Sequence, residues 1–526
     1  MNPLMLPNPN LGFWLERRAQ LQPERQAIVY WHKADVAEYW TYGELESKVQ
    51  GLAAWMVQSG IQAGDRVAFL DFNDARFVVV MFAAARIGAI FVPLNFRLSA
   101  PEIVATMNDC GAALLIYGDE FRHIQVSVKE QCDCQHYVFS SRNSGDEFMA
   151  LCAASALAVP SVRSVRWDET AWLLYTSGST GRPKGVMLSH GNVFWNTINT
   201  ILIQGGLVQD RVLISAPLFH AAPVSTLMES FLRGALLHLE KSFDPTCILE
   251  RIAEQQIAVV AGVPAMYKFI AEHVDFMTAD LSSLRSIVVG GAPVPEALIN
   301  RYGSRGIAVI QRYGLTEAAP LVTALTPGSS QSKGVTAGLP PIFGELRISN
   351  QNSEQCAPDE IGEIQARGPN IMQGYWRSES DTRAVLRDGW LHTGDLGRID
   401  DEGYLTVVGR IKDMIITGGE NVYAAEVEAK LAENPDLLEA VVIGVPDPKW
   451  GETICAIVSL VPGRSSDADG VVAHLQGRLA RYKQPKKVIF LDALPKNGAG
   501  KIDKLTLKRE YGGVCKQTET LETLND

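Results

Sequence analysis

Between about residues 26 and 400 the chain alternates short apolar runs with longer stretches whose apolar residues recur at helical spacing. The runs DRVAFLD, ALLIYG, AWLLYTSG, RVLISAP, AVVAGVP, SIVVGGAP and AVIQRYG are bounded by Gly, Pro or Asp, as strands buried on both faces are. Between them, APEIVATMNDCG and FDPTCILERIAEQQ have helical character. This alternation predicts an α/β architecture in which helices cover the sheets. Binding loops in such folds gather at the carboxyl ends of strands, where YTSGSTG, APLFH, VGGAP and RYGLTE fall.

Beyond residue 400 the texture changes. DEGYLTVVGRIKDMIITGGENVYAAEVEAKL reads as a short hairpin, a polar break, a second hairpin with two glycines and an amphipathic helix that Asn421 helps to initiate. EAVVIGVPD, ETICAIVSLVPG and KKVIFLDALP follow as further strands. The predicted organisation is a large N-terminal domain of mixed sheets flanked by helices (1–409), a boundary at 410–413 and a small C-terminal α+β domain (414–526). A chain of 526 residues is too long for one core, which agrees with two domains.

Composition narrows the function classes. Hydrophobic residues make up 47% and charged residues 20%, the balance of a globular protein. Basic residues number 48 against 59 acidic, a net charge of −11, which argues against a nucleic-acid partner. Eight cysteines, at 110, 132, 134, 152, 247, 356, 455 and 515, lack the dense regular spacing of a disulfide scaffold, so a reducing cytoplasm is expected. CDCQH, at 132–136, lacks the CxxC spacing of a zinc site. MNPLMLPNPN does not read as a signal peptide. The most apolar stretch, RFVVVMFAAARIGAIFVPL, is interrupted by Arg86 and Gly88 and holds no clean run of the roughly 18 residues a membrane span requires.

One segment buries almost nothing: YTSGSTGRPKGV, residues 175–186. A glycine- and hydroxyl-rich loop after a strand offers successive backbone N–H groups as a concave anion site, and a closing lysine adds a point charge. It is shaped for a polyphosphate. The Walker pattern is absent, because Lys184 follows Pro183 and precedes Gly185.

That string, with WTYGELE, APLFHAAP, VVGGAPV, QRYGLTEAA, GEIQARGPNIMQGYW, DGWLHTGD, GYLTVVGRIKDMIITGGENVYAAEVE, GVPDPKWGE and PKNGAGKIDK in the same order, resembles the adenylate-forming superfamily of acyl- and aryl-CoA synthetases, adenylation domains and luciferases. The resemblance implies attack of a carboxylate on the α-phosphorus of ATP, giving an acyl-adenylate and pyrophosphate, then transfer of the acyl group to a thiol, with ATP, Mg²⁺ and CoA as the expected cofactors. Such chemistry asks the protein mainly to position groups and neutralise charge.

Carried onto this chain, the resemblance places the β- and γ-phosphates on Thr176, Ser177, Gly178, Ser179, Thr180, Gly181 and Lys184. Glu317 is the expected Mg²⁺ carboxylate and Thr316 an α-phosphate contact. Gly290, Gly291 and Ala292 offer a flat wall for adenine, with Tyr313 and Gly314 at its other side. Asp395 and Arg410 are the ribose contacts, and Lys501 bridges the substrate carboxylate and the α-phosphate. For thioester formation, Gly418 and Gly419 line a thiol channel after the small, mobile domain turns about a hinge at Lys412. Residues 478–510 hold ten Lys or Arg against three acidic residues, a basic stretch suited to CoA phosphates. His220 lies at the mouth of the acyl pocket.

Nearly every position of the expected pocket walls, HAAPVSTLMESF, VPAMYKFI, GGAP and LTEAAPLVTA, is apolar or small, including Ala221, Ala222, Ala292 and Ala318, and no arginine is expected to face the cavity. A second carboxylate would be left unpaired there. The sequence therefore favours an apolar acid, with a fatty acid first and an aryl or alicyclic acid as the alternative; a ligase that loads a carrier protein is the other. The remaining partner expectations are a small-molecule acid, no transmembrane segment and an assembly that a homodimer would satisfy.

Overall fold

The computed structural model describes residues 8–33, 36–142, 146–153, 158–177, 183–417, 420–498 and 500–512. It divides the chain into two compact units, one of residues 1–346, 365–392 and 403–405, the other of 347–364, 393–402 and 406–526.

The first unit is built on two sheets. In the seven-stranded sheet the order is Gly374–Tyr375, Pro183–Ser189, Thr170–Ser177, Ile90–Pro93, Arg66–Leu70, Leu114–Gly118, His136–Ser140. Its pairs from Thr170–Ser177 to His136–Ser140 are parallel, and the hairpin of Thr170–Ser177 with Pro183–Ser189 is antiparallel. The eight-stranded sheet runs Leu321–Ala324, Ala308–Gly314, Ser286–Gly290, Val259–Gly262, Arg211–Ile214, Leu236–Glu240, Gln26–Lys33, Val36–Thr41. It is parallel except at its two outermost pairs. Each of the seven apolar runs read as strands between residues 26 and 400 is one of these strands, because a parallel strand covered on both faces must be apolar throughout.

The largest core packs Tyr42–Gln58, Ala75–Ile87 and Ala221–Arg233 against both sheets. A second core covers the other face of the eight-stranded sheet with Pro245–Gln255, Pro264–Glu272 and Glu296–Gly303. The most apolar stretch of the sequence is the helix Ala75–Ile87, buried along its entire length. Asp74 caps its start by accepting from Arg76 N, and Gly88 ends it at φ 79°, a left-handed turn that glycine adopts without strain. Its two arginines are neutralised inside the protein, Arg86 by Glu46 at 2.7 Å and Arg76 by Asp146 at 2.7 Å. Among the described residues no helix is long and apolar enough to cross a membrane.

The second unit contains a five-stranded sheet ordered Glu420–Tyr423, Met414–Thr417, Gly451–Leu460, Leu437–Asp447, with Lys487–Phe490 also on Gly451–Leu460. Ala424–Leu431 and Ala468–Leu475 pack on one face and Lys504–Tyr511 on the other. The helix after the second hairpin begins later than its sequence suggests. Asn421 lies in the strand Glu420–Tyr423, and the residue before the helix is Tyr423, which makes no side-chain cap.

One buried contact couples a helix of the first unit to its eight-stranded sheet. Glu229, on Ala221–Arg233, accepts from both terminal nitrogens of Arg312, on Ala308–Gly314, at 3.0 and 3.3 Å. The glutamate side chain is 0% exposed and the arginine 12%. Removing one partner of such a pair strands a charge in the interior, at a cost of about 3–5 kcal/mol. Glu229→Ala is therefore expected to lower the urea and thermal midpoints markedly, and Glu229→Met combined with Arg312→Met to recover much of the loss. Unchanged midpoints for Glu229→Ala would show that the pair is not desolvated.

Candidate active site

In the first unit the candidate residues stand at strand ends. Gly314 closes Ala308–Gly314 against the turn that follows: a Cβ there would lie 1.8 Å from the Pro320 carbonyl oxygen, so only glycine fits. Leu315 N then donates to Pro320 O at 3.0 Å, and Thr316–Ala318 forms one 3₁₀ turn inside the loop. Asn370 Nδ2 holds that loop from outside, donating to Ala318 O at 2.7 Å and Leu321 O at 2.8 Å.

Glu317 is thus on a fixed turn. Its main-chain oxygen accepts from Met372 N at 2.8 Å, and its side-chain Oε1 accepts from the Tyr375 hydroxyl at 2.7 Å. Burial, and then the Glu317 charge, raise the Tyr375 phenol above its ordinary range, so it remains a donor through neutral pH. A carboxylate oriented by a neutral donor is a hard oxygen ligand of the kind Mg²⁺ takes beside phosphates, and the residues present fit that ion.

The base of the phosphate segment is the hairpin in which Thr176 faces Lys184 and Ser177 faces Pro183. Tyr175 anchors it by donating to Asp109 Oδ2 at 2.5 Å. Lys184 Nζ lies 5.2 Å from the centre of the Tyr375 ring and pairs with Asp381 Oδ1 at 2.6 Å. Lys184 and Glu317 are therefore joined through Tyr375. Gly178, Ser179, Thr180 and Gly181 lie outside the described residues, as do Gly418 and Gly419.

Gly290 sits opposite Arg312 across two neighbouring parallel strands, which sets Gly290 and Gly291 beside Tyr313. Gly291 has φ +84°, a conformation that disfavours any side chain. Gly291 and Ala292 are exposed; Tyr313, Gly314 and Thr316 are half-buried. His220 is the residue before Ala221–Arg233, with its ring centre 4.3 Å from that of Phe219. Of the four small residues expected along the acyl pocket, Ala221 and Ala318 are buried and Ala222 and Ala292 exposed.

In the second unit Arg410 Nε meets Asp395 Oδ1 at 3.1 Å, so the two expected ribose contacts are paired with one another. Thr393 Oγ1 accepts from Asp395 N at 3.1 Å and donates to Ile364 O at 2.7 Å, fixing the strand that carries the carboxylate. Lys501 lies on a turn closed by Asn497, whose side chain accepts from Lys501 N at 3.1 Å and whose N donates to Lys501 O at 2.8 Å. The Lys501 ammonium titrates below an ordinary lysine: desolvation lowers it first, the Arg410 guanidinium adds to the lowering, and Asp395 opposes both. The residue keeps more than a third of its surface exposed, so water screens these effects. The Lys412 carbonyl accepts from Lys508 Nζ at 3.3 Å, and Asp413 pairs with Lys508 at 3.5 Å.

Four side chains that the sequence does not single out form the contacts described here: Tyr375 bonds Glu317, Asp381 pairs with Lys184, and Glu229 pairs with Arg312. GYW at 374–376 was visible as a motif, but nothing in it announces a hydrogen bond to a glutamate 58 residues earlier. An arginine does reach the expected acyl wall, as Arg312 from the adjoining strand, already neutralised by Glu229. The basic stretch 478–510 is also less cationic than its composition: Arg478 pairs with Glu433, Lys483 with Glu426, Lys496 with Glu439 and Lys504 with Glu428, at 2.7–2.9 Å.

Residues 15–376 match the AMP-binding enzyme family, and residues 426–501 match the AMP-binding enzyme C-terminal domain. The chain is 42% identical to a feruloyl-CoA synthase of an Amycolatopsis species, over 96% of this chain and 100% of the relative. It is 38% identical to an indoleacetate–CoA ligase of Aromatoleum aromaticum, over 94% and 96%. A solved o-succinylbenzoate CoA synthetase from Bacillus subtilis, in complex with its acyl-adenylate intermediate, superposes with a TM-score of 0.85 at 33% identity, covering 94% of this chain and 97% of that one. The strand-end turn that carries Glu317, the hairpin that carries Lys184 and these full-length matches agree: the chain belongs to the AMP-binding, adenylate-forming enzyme family, as an AMP-forming acid–thiol ligase.

Proposed function

We propose that this ligase uses ATP to convert an aryl or arylalkyl carboxylic acid to its acyl-adenylate, releasing pyrophosphate, and then transfers the acyl group to CoA, releasing AMP. The observation that carries the choice of acid is a buried polar seam along Ala221–Arg233. Ala221, Ser225 and Glu229 recur every four residues on one face of that helix. Ser225 Oγ accepts from Asn196 at 2.8 Å, and Glu229 pairs with Arg312. Glu229 stands about 12 Å along the helix from Ala221, given a rise of 1.5 Å per residue. In this reading the acid enters at His220 and Ala221 and its tail points along that face, so a ring-sized acid ends short of Glu229. A long alkyl chain would run into a desolvated ion pair, where apolar atoms gain nothing and the polar groups lose partners. The seam moves the preference from the fatty acid favoured by the sequence to a ring-bearing acid, and the two aryl-acid relatives support the same choice.

In this reading Thr176 and Lys184 hold the β- and γ-phosphates, and Thr316 touches the α-phosphate. Gly290, Gly291, Ala292, Tyr313 and Gly314 receive adenine, while Asp395 and Arg410 take the ribose hydroxyls. Glu317 holds Mg²⁺, which when bound supplies positive charge to the phosphate oxygens. Lys501 carries the positive charge that meets the carboxylate and the α-phosphate as bond making begins. His220 stands at the entrance of the acid.

Pyrophosphate release from ATP, measured against hydroxycinnamates, indoleacetate, C8–C16 fatty acids and malonate with and without CoA, tests the choice of acid. The expected outcome is a kcat/KM at least tenfold higher for the aryl acids, with CoA required for thioester formation. A preference for C12–C16 acids or for malonate would overturn the reading of the seam.

Lys501→Ala should lower adenylation by about 10²–10³-fold, the usual effect of removing one preorganised electrostatic contact, while transfer from supplied acyl-adenylate to CoA survives. Because adenylation needs the ammonium form and Lys501 titrates below an ordinary lysine, its alkaline limb should fall at lower pH than about 10.4. Equal loss of both half-reactions in Lys501→Ala would remove the assignment.

A further inference from the structure

Lys184 is already engaged. Its ammonium meets Asp381 Oδ1 at 2.6 Å and lies over the Tyr375 ring, whose hydroxyl donates to Glu317 at 2.7 Å. Asp381 is itself held from its other oxygen, which accepts from Ser378 Oγ at 2.7 Å. The lysine side chain is 20% exposed and the aspartate 40%. The Lys184 hydrogen bond, and then that from Ser378, keep Asp381 below the ordinary carboxylate range, so it stays an anion at neutral pH.

A cation that is to receive phosphate oxygens is thus resting on a carboxylate 197 residues away in the sequence. An ion pair this open to water is individually weak, because solvent screens it and two side chains must be held for it. A polyphosphate offers the same ammonium several anionic oxygens at once. The exchange therefore runs toward phosphate when nucleotide arrives and back toward Asp381 when it leaves. Tyr375 lies under the lysine in this arrangement and holds Glu317, so Lys184 is kept close to the tyrosine–glutamate pair while it waits.

We propose that Asp381 is a positioning residue that serves as a placeholder for the phosphates of ATP, holding Lys184 in place between turnovers and competing with bound triphosphate and pyrophosphate for it. The proposal rests on the reading of Lys184 as the phosphate lysine. It predicts that Asp381 weakens nucleotide binding through Lys184.

Four variants of the full chain test this by calorimetric ATP binding in the presence of Mg²⁺ and without acid, together with the inhibition constant for pyrophosphate. Asp381→Asn keeps the shape and removes the competing charge, so the Kd for ATP and the pyrophosphate inhibition constant should each fall about three- to tenfold. Asp381→Glu keeps the charge and should stay within twofold of the parent. Lys184→Met should weaken ATP binding, and in that background Asp381→Asn should change nothing further. If Asp381→Asn leaves ATP affinity unchanged or weakens it, the placeholder role is wrong. A gain that persists without Lys184 would reduce the effect to simple repulsion and overturn the proposal as well. If Lys184→Met leaves ATP affinity untouched, it is the phosphate assignment of Lys184 that fails.

Discussion

The hydroxyl of Tyr375 on the carboxylate of Glu317 is the contact that ties the Glu317 turn to the hairpin carrying Lys184. In the proposed role of Glu317 as the Mg²⁺ carboxylate, the group has to be aimed without being neutralised, and a phenol does this where a lysine would not. Burial keeps that phenol protonated, so the donor does not switch off as pH varies near neutrality. The contact is possible only because the turn that carries Glu317 has a fixed shape. Gly314 lets the chain pass against Pro320, and Asn370 satisfies two carbonyls of the turn with one amide. Met372 N, donating to Glu317 O, closes the same segment from the tyrosine side.

Much of this fold can be read from the sequence, for a physical reason. Parallel strands buried on both faces must be apolar, and the loops between them need Gly, Pro or Asp, so SIVVGGAP and AVIQRYG name their own strands. Glycine positions such as Gly291 and Gly314 can be read in the same way, because the backbone there disfavours or excludes a side chain. It stops at side-chain partners. Lys184 is conspicuous in its motif, yet Asp381 is an acidic residue in an unremarked polar stretch 197 positions later, and charge at a position carries no record of what folds against it. Glu229 illustrates the opposite error: within HAAPVSTLMESF it reads as the polar exception on an apolar wall, while the fold makes it a fully buried anion that needs Arg312. The basic stretch 478–510 misleads for the same reason, since its counter-charges Glu426, Glu428, Glu433 and Glu439 lie upstream of it.

The cation–carboxylate pairs of the two units differ in one physical quantity, their access to water, and that difference sorts them by role. The Arg312–Glu229 pair is 12% and 0% exposed; its partners have no solvent to fall back on, and it behaves as a fixed part of the interior. Lys184–Asp381, at 20% and 40%, and Arg410–Asp395, at 52% and 11%, each keep at least one partner in water. Either can open at little net cost, and on the proposed reading either contains a group for the nucleotide: an ammonium for phosphate in one, a carboxylate for hydroxyls in the other. On the proposed placeholder role, a site that binds and discharges a highly charged ligand in each cycle gains from such pairs, because it is not left as a bare charge between turnovers. The buried pair could not serve this way, since the desolvation that makes it costly to break also makes it slow to exchange.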